Sequence, residues 1–177
     1  MSSRFAIILK SLLQLGTEPL ALNALYKLGL WMGYYKRIEN KHPAPSLNSL
    51  FSLPNREELL RILGDDGKAA LIKEADEIDG GKFRMFGGEP AEIKLTGNWP
   101  SAHWTDFETG KIKLEGDIKF TWEPARFGWA FTLGRAYHVT QDEKYAEAFW
   151  NYFELFSEGN LPYFGPHWMS GQEVAIR

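Results

Sequence analysis

Apolar residues recur at helical spacing along most of this chain, and the pattern is clearest in its last third. A helix is predicted from about Trp122 to His138, with Thr121 as its N-cap and Pro124 in its first turn. A second helix is predicted after Thr140, which has capping-box spacing to Glu143. Its aromatic face is formed by Tyr145, Phe149, Tyr152 and Phe156. Because few residues separate the two helices, we expect an antiparallel αα-hairpin.

Further helices are predicted nearer the N terminus. Residues 1–39 carry leucine and aromatic residues at helical spacing, and the break from Gly16 to Pro19 divides them into two helices. Residues 40–54 contain His-Pro-Ala-Pro and are interpreted as an extended linker. Two short helices, around 56–63 and 68–78, are predicted on either side of a Gly-Asp-Asp-Gly turn. The basic and aromatic residues of the first segment also fit a membrane-surface helix, but helices packed on the protein are favoured.

The hydrophobic period changes after Gly80-Gly81. Alternating residues at 82–86 and 92–95 predict two short strands around a Gly-Gly-Glu-Pro turn. Residues 98–116 have turn residues and tryptophans with little periodicity, which predicts an ordered, aromatic-rich loop. The predicted fold is therefore mainly α, with a short β and loop insertion around residues 82–116.

Composition narrows the classes of function. The chain is 44% hydrophobic and 15% aromatic, which is typical of a folded protein, and its net charge of -3 gives no general attraction to nucleic acid. It contains no cysteine and no apolar run long enough for stable membrane insertion. With no secretion signal recognised, a cytoplasmic location is expected. No nucleotide-binding glycine loop, nucleophile elbow or pair of metal-spaced histidines is found, so no cofactor and no metal are predicted.

The last third also carries an ordered series of polar and aromatic motifs. The series is Gly116-Asp117-Ile118-Lys119, Trp122-Glu123, Arg126, Arg135-Ala136-Tyr137, Thr140, Asp142-Glu143-Lys144-Tyr145, Trp168, Ser170 and Glu173-Val174-Ala175-Ile176-Arg177. Upstream matches lie at Gly81-Lys82-Phe83, Trp104-Thr105-Asp106 and Thr109-Gly110. In this order the motifs resemble the N-terminal helical domain of the heparinase II/III-like proteins, which include polysaccharide lyases. The resemblance covers about residues 55–177.

The resemblance implies an architecture and a reaction. Family members build an (α/α) toroid of helical hairpins followed by a β-sandwich domain, so residues 55–177 are expected to be the N-terminal part of such a toroid, truncated at the C terminus. The characterised lyases cleave uronate-containing polysaccharides by β-elimination with an Asn, a Tyr and a His. These catalytic residues are expected beyond Arg177, so this chain alone is expected to be inactive. The implied partners are an acidic polysaccharide, the rest of the toroid and the β-sandwich domain.

Candidate substrate-binding residues remain within the chain. They are Trp122, Glu123, Arg126, His167, Trp168, Glu173 and Arg177. The Glu-Arg pairs lie three and four residues apart, so each pair shares a helix face. On a cleft they could bind sugar hydroxyls or a uronate carboxylate, and as structural ion pairs they could instead fix one helix against the next. The resembling family usually has Asn at the position of His167, so no family role transfers to that histidine.

Two other functions stay open from the sequence. One is a glycoside hydrolase on a similar toroid, which would need two carboxylates facing each other across a cleft. The other is a non-catalytic helical domain that binds glycan or protein. Products carrying the ultraviolet absorbance of an unsaturated uronate would distinguish a lyase from both alternatives.

Overall fold

The structure is a computed structural model that describes Ile7, Lys10, Gln14 and residues 16–38 and 54–177. The chain forms two compact units, Met1–Ala44 and Pro45–Arg177. The predicted linker at 40–54 lies outside the described residues except for Pro54, and so does most of the first predicted N-terminal helix.

The first unit contains helix α1, Thr17–Trp31, followed by a 3-10 turn at Tyr34–Arg37. The helix begins directly after Gly16, with Glu18 in its first turn, so only Gly16 of the predicted Gly16–Pro19 break lies outside it. The ring of Tyr35 approaches Gly29 closely. A Cβ at Gly29 would lie 2.8 Å from Cε2 of that ring, so this contact depends on the glycine. Tyr35 also packs on Tyr26, with ring centroids 5.6 Å apart. These contacts fold the turn back onto the helix.

The second unit is mainly helical, which confirms the predicted fold class at that level. Its helices are α2, Arg56–Asp79; α3, Trp104–Glu108; α4, Ile118–Ala125; α5, Gly128–Thr140; α6, Glu143–Gly159; and α7, Gly171–Ile176. Short 3-10 turns lie at Met85–Gly87 and Pro166–Trp168. Strands β1, Lys82–Arg84, and β2, Pro90–Glu92, form an antiparallel pair with Phe83 opposite Ala91.

The core lies between α2, α5 and α6, where α5 packs on both other helices. Trp129 at its centre is fully buried, and its Nε1 donates a hydrogen bond of 2.8 Å to the Pro124 carbonyl. Its ring contacts Phe127 and Tyr152 edge-on, with centroids 5.2 and 5.3 Å apart. Tyr145, Phe149, Tyr152 and Phe156 all face this core, which confirms the predicted aromatic face of α6. The predicted αα-hairpin is confirmed, and its two helices are α5 and α6.

The cap predicted between these two helices is wrong in detail. Thr140 is the last residue of α5, and its hydroxyl donates to the Ala136 carbonyl at 2.7 Å. Asp142 is the N-cap of α6, and its carboxylate accepts from the Lys144 amide at 3.2 Å. Gln141 turns the chain between them in the left-handed region, at φ 61°. Asp142 is a better N-cap than Thr140 because a carboxylate at this position also complements the helix dipole.

The helix predicted from Trp122 to His138 is two helices, and this prediction is corrected. Asp117, and not Thr121, is the N-cap of α4, and Pro124 lies in its last turn. The break falls at Phe127, which has a left-handed φ of 56°. A left-handed conformation is costly for a residue with a Cβ, but here it directs the Phe127 ring onto Phe156, with centroids 5.0 Å apart. Core packing therefore overrides the continuous helical pattern.

The remaining predictions differ from the structure mainly at element boundaries. Only Gly64, at φ 63°, is non-helical within α2, so the predicted turn at 64–67 is a single-residue kink. The second strand was predicted at residues 92–95, but β2 runs from Pro90 to Glu92. Beyond it Leu95 is buried, and its carbonyl accepts from Asn160 Nδ2 at 2.9 Å. Residues 98–116 are an ordered segment that contains α3.

Candidate functional site

The seven candidate residues lie in one contact network, which we call the candidate cluster. It joins three segments that are distant in sequence: α4, the Pro166–Trp168 turn and α7. Trp122 Nε1 donates to the Pro166 carbonyl at 3.0 Å. Arg126 contacts Glu173, and Arg177 donates to the His167 carbonyl. The structure thus brings together residues that are up to 55 positions apart, from Trp122 to Arg177.

Arg126 is the centre of an ion-pair network. Its Nε and Nη2 donate to the two carboxylate oxygens of Glu173 at 2.7 and 2.6 Å. Its Nη1 donates to Oε2 of Glu123 at 2.5 Å. The two hydrogen bonds that Arg126 donates to Glu173 lower the pKa of the Glu173 carboxyl and raise the pKa of Arg126. Two carboxylates therefore neutralise one guanidinium, and the network ties α4 to α7.

Local sequence explains how these groups reach one another. Glu123 lies one turn before Arg126 near the C terminus of α4, so both side chains project on one face. Ser170 caps α7, and its Oγ accepts from the Glu173 amide at 3.4 Å. That cap places Glu173 in the first turn of α7, where its side chain is only 5% exposed. The ion-pair interpretation left open by the sequence accounts for this geometry.

His167 is fully enclosed. Its side chain is 0% exposed, and its ring lies 5.3 Å from Trp99 and 5.5 Å from Phe156, centroid to centroid. Neither ring nitrogen has a hydrogen-bond partner among the described residues. Burial, followed by the nearby Arg177 cation, lowers the pKa of His167 to about 4. The imidazole is therefore neutral at physiological pH and shielded from solvent.

Arg177 has surroundings unlike those of Arg126. Its Nη2 donates to the main-chain carbonyl of His167 at 2.5 Å. Its guanidinium carbon lies 5.5 Å from the ring centre of Phe156 and 5.7 Å from that of Trp168. Burial lowers the pKa of Arg177, and Glu173 opposes that shift only through its more distant charge. No carboxylate of the described residues lies within ion-pairing distance of this guanidinium.

Two donors at this end of the cluster have no acceptor. Nε of Arg177 and Nε1 of Trp168 are both buried and make no hydrogen bond within the described part of the chain. A buried donor without an acceptor is unusual in folded proteins. Trp168 itself is partly exposed, and its ring contacts that of Tyr163 at 6.0 Å.

The sequence predicted an aromatic-rich loop at residues 98–116, but not that Trp99 of this loop encloses the cluster. Trp99 fits over His167 because Gly97 and Gly165 carry no side chain: a Cβ at Gly97 would lie 1.9 Å from Cζ3 of Trp99, and one at Gly165 would lie 3.1 Å from its Nε1. Tyr163 adopts a left-handed φ of 70° beside Trp168. The Gly-Asn-Trp spacing at 97–99 was the available signal for Trp99, whereas no local pattern marks Tyr163.

Other polar contacts in the second unit are structural. Asp76 on α2 accepts hydrogen bonds of 2.9 Å from both Lys144 Nζ and the Tyr145 hydroxyl on α6. These bonds, that from Lys144 first, lower the pKa of Asp76. Within the described residues, no group of three or more acidic or histidine side chains is arranged to hold a metal ion. In that same part of the chain, no helix is both long and apolar enough to cross a bilayer.

Comparison with known proteins adds no family assignment. The chain matches no protein-family model, no curated protein and no solved structure.

Proposed function

We propose that this chain forms the N-terminal part of the toroid of a heparinase II/III-like protein that cleaves an acidic, uronate-containing polysaccharide by β-elimination. One observation carries the proposal. The motifs at Trp122 to Arg126, at His167-Trp168 and at Glu173 to Arg177, which carry the resemblance, converge on one cluster of charged and aromatic side chains. In this proposal the α5–α6 hairpin is one of the repeating hairpins of the toroid.

β-Elimination makes three chemical demands. The uronate carboxylate must be neutralised, a base must remove the C5 proton, and an acid must protonate the leaving oxygen. An arginine that pairs with the carboxylate contributes to the first demand. The Asn, Tyr and His that the resemblance implies for catalysis are proposed to lie outside this chain, so the candidate cluster is proposed to bind substrate.

A hydrolase is less well supported by the geometry. Retaining and inverting glycosidases need one carboxyl group whose pKa is high enough to donate a proton. In the cluster both Glu123 and Glu173 bond to Arg126, which lowers the pKa of the Glu173 carboxyl. That change suits an ion pair and opposes a role as general acid.

Glycan binding without turnover is a second candidate function. Within the candidate cluster, His167 is 0% exposed and cannot exchange a proton directly with a bound sugar, so the cluster by itself supports binding and not turnover. A polysaccharide assay distinguishes the two functions. We expect the chain, expressed together with whatever its reading frame encodes downstream, to release products with the ultraviolet absorbance of an unsaturated uronate. Binding to the polysaccharide without such products would support the binding domain, and shortened products without absorbance would support a hydrolase.

A further inference from the structure

Helix α1 of the first unit exposes a row of large apolar side chains. Leu22, Leu25, Leu28 and Trp31 recur every third residue, so they form one stripe that drifts slowly around the helix. We call these four residues the leucine stripe, and each of them is between 47% and 83% exposed. We propose that the leucine stripe binds the surface of an anionic lipid bilayer, while the basic residues of the same unit contact the lipid headgroups. This inference is independent of the proposed reaction.

The first unit buries little apolar surface of its own. Leu30 is the buried apolar residue described there. Asn23 and Lys27, four residues apart, form a narrow polar face on α1. The Tyr34–Arg37 turn packs on the helix through Tyr35 and leaves the leucine stripe exposed. Because a helix with so wide an apolar surface is normally covered by protein or by lipid, the stripe requires a partner.

The distribution of charge favours anionic lipid as that partner. Residues 1–44 contain six of the 20 basic residues of the chain but only two of its 23 acidic residues. Their net charge is therefore +4, whereas residues 45–177 carry -7, and together these give the net -3 of the chain. Basic residues beside an apolar helix strengthen its binding to anionic lipid. The chain as a whole is acidic, but the segment that carries the leucine stripe is basic.

The residue types at the C-terminal end of α1 match the layers of a bilayer surface. Trp31 is 83% exposed, and the exposed Tyr34 begins a turn that ends with Lys36 and Arg37. Trp and Tyr favour the boundary between hydrocarbon and headgroups, and Lys and Arg extend their charges into the headgroups. At 15 residues, α1 is shorter than the roughly 20 residues of a spanning helix, so we place it along the surface.

Two other partners satisfy only one of the two requirements. A second copy of this chain would cover the apolar side chains, but it would bring together two segments of net charge +4. An acidic polysaccharide would complement the charge and leave the leucines in water. An anionic bilayer surface both covers the apolar side chains and complements the charge.

The experiment is sedimentation of the full chain with lipid vesicles. One set of vesicles contains equal parts of phosphatidylcholine and phosphatidylglycerol, and the other contains phosphatidylcholine alone. We expect the partition coefficient on the anionic vesicles to be at least about tenfold higher than on the neutral ones. Leu25→Glu is expected to lower the anionic value about tenfold or more, since it replaces an apolar contact by a charge that the surface repels. Phe131→Glu, at a similarly exposed position on α5, is the matched control and is expected to change the value little.

The requirement for charge is tested by a second pair of variants. Lys36→Glu combined with Arg37→Glu takes the net charge of residues 1–44 from +4 to zero, so we expect the ratio between the two vesicle types to approach one. Arg61→Glu combined with Lys113→Glu makes the same change at exposed positions of the second unit. This control is expected to retain most of the ratio, because charges far from the surface are screened by salt.

Tryptophan fluorescence locates the bound surface by a conservative substitution. Trp31 is the one tryptophan of residues 1–44, and the other six lie in residues 45–177. Brominated lipids quench tryptophans that contact the hydrocarbon of the bilayer. We therefore expect them to quench the unmodified chain, and we expect Trp31→Phe to remove that quenching. This measurement decides the question even where Leu25→Glu does not fold.

The proposal is overturned if the unmodified chain binds neither vesicle type, if it binds both equally, or if quenching persists in Trp31→Phe. It is also overturned if Leu25→Glu lowers the melting temperature while vesicle binding persists. Dissociation of a dimer by Leu25→Glu, in a chain that binds no vesicles, would mean that a second copy covers the stripe. None of these outcomes depends on unsaturated uronate products, so the proposed function is judged separately.

Discussion

At the scale of single residues, His167 makes the stability of the fold depend on pH. Its imidazole is enclosed by Trp99 and Phe156, and burial holds its pKa at about 4, below the ordinary value of 6.5. The unfolded chain therefore binds a proton between these two pH values that the folded chain excludes. The contribution of His167 to stability is present above pH 6.5 and is lost as the pH falls toward 4.

We expect the free energy of unfolding to fall by about 3 kcal/mol from this group as the pH drops from 7 to 4, since each pH unit is worth about 1.4 kcal/mol. Urea unfolding followed by circular dichroism across this range measures the change. His167→Phe, which places an apolar ring among aromatic neighbours, is expected to remove this part of the pH dependence. An unchanged slope in the variant would contradict the neutral, buried histidine.

Two glycines provide a matched pair for the packing around Trp99. A Cβ at Gly97 would lie 1.9 Å from the Trp99 ring, whereas a Cβ at Gly134 on α5 meets nothing within 4 Å. We expect Gly97→Ala to lower the free energy of unfolding by about 1–2 kcal/mol, because it displaces Trp99 from His167. Gly134→Ala is expected to raise it by up to about 1 kcal/mol through helix propensity. Chemical denaturation of both variants tests the pair, and equal effects would show that Trp99 is not held in this position.

At the scale of elements, the Arg126 network attaches α7 to α4. The Arg126 side chain is 33% exposed and that of Glu173 only 5%, so removal of the arginine leaves a buried carboxylate without its main partner. We expect Arg126→Leu to cost about 2 kcal/mol, below the usual figure for a fully buried pair because solvent reaches the arginine. The double variant with Glu173→Leu is expected to recover part of that loss in urea titrations. A double variant less stable than the single one would argue against this ion pair.

The helices show when a sequence pattern alone is enough to predict an element and its boundaries. α6 was predicted from its capping signals and aromatic face because every one of its determinants is local, even though Asp142 replaced Thr140 as the cap. The break between α4 and α5 was missed because it depends on Phe127 packing against Phe156, on another helix. Local periodicity continues through Phe127, and only the assembled core shows why the backbone turns there.

At the scale of the whole molecule, the sequence selected seven candidate residues but did not show how they connect. The sequence identified both Glu-Arg pairs, each within one helix face. The structure keeps the Glu123–Arg126 pair, but Arg126 also reaches across to Glu173, and Arg177 has a main-chain partner instead. Spacing along a helix shows which side chains can share a face, whereas the choice among partners on different helices is made by tertiary packing.

The division into two units leads to a last prediction. All members of the apolar cluster from Leu71 to Phe156 belong to the second unit, whereas Leu30 is the buried apolar residue described in the first. Because this core supplies the burial that drives folding, we expect residues 45–177 expressed alone to unfold cooperatively. Their melting temperature is expected within about 4 °C of the full chain, the change that about 1 kcal/mol produces in domains of this size.

The measurement is thermal unfolding by near-ultraviolet circular dichroism, which reports the packing of aromatic side chains such as Trp129. Trp129→Ala in the same fragment is the control, because loss of this fully buried ring is expected to cost about 3–5 kcal/mol and to lower the transition strongly. A fragment without a cooperative transition, while the full chain has one, would mean that residues 1–44 contribute directly to the stability of the second unit. In that case the candidate cluster would have to be studied only in the intact chain.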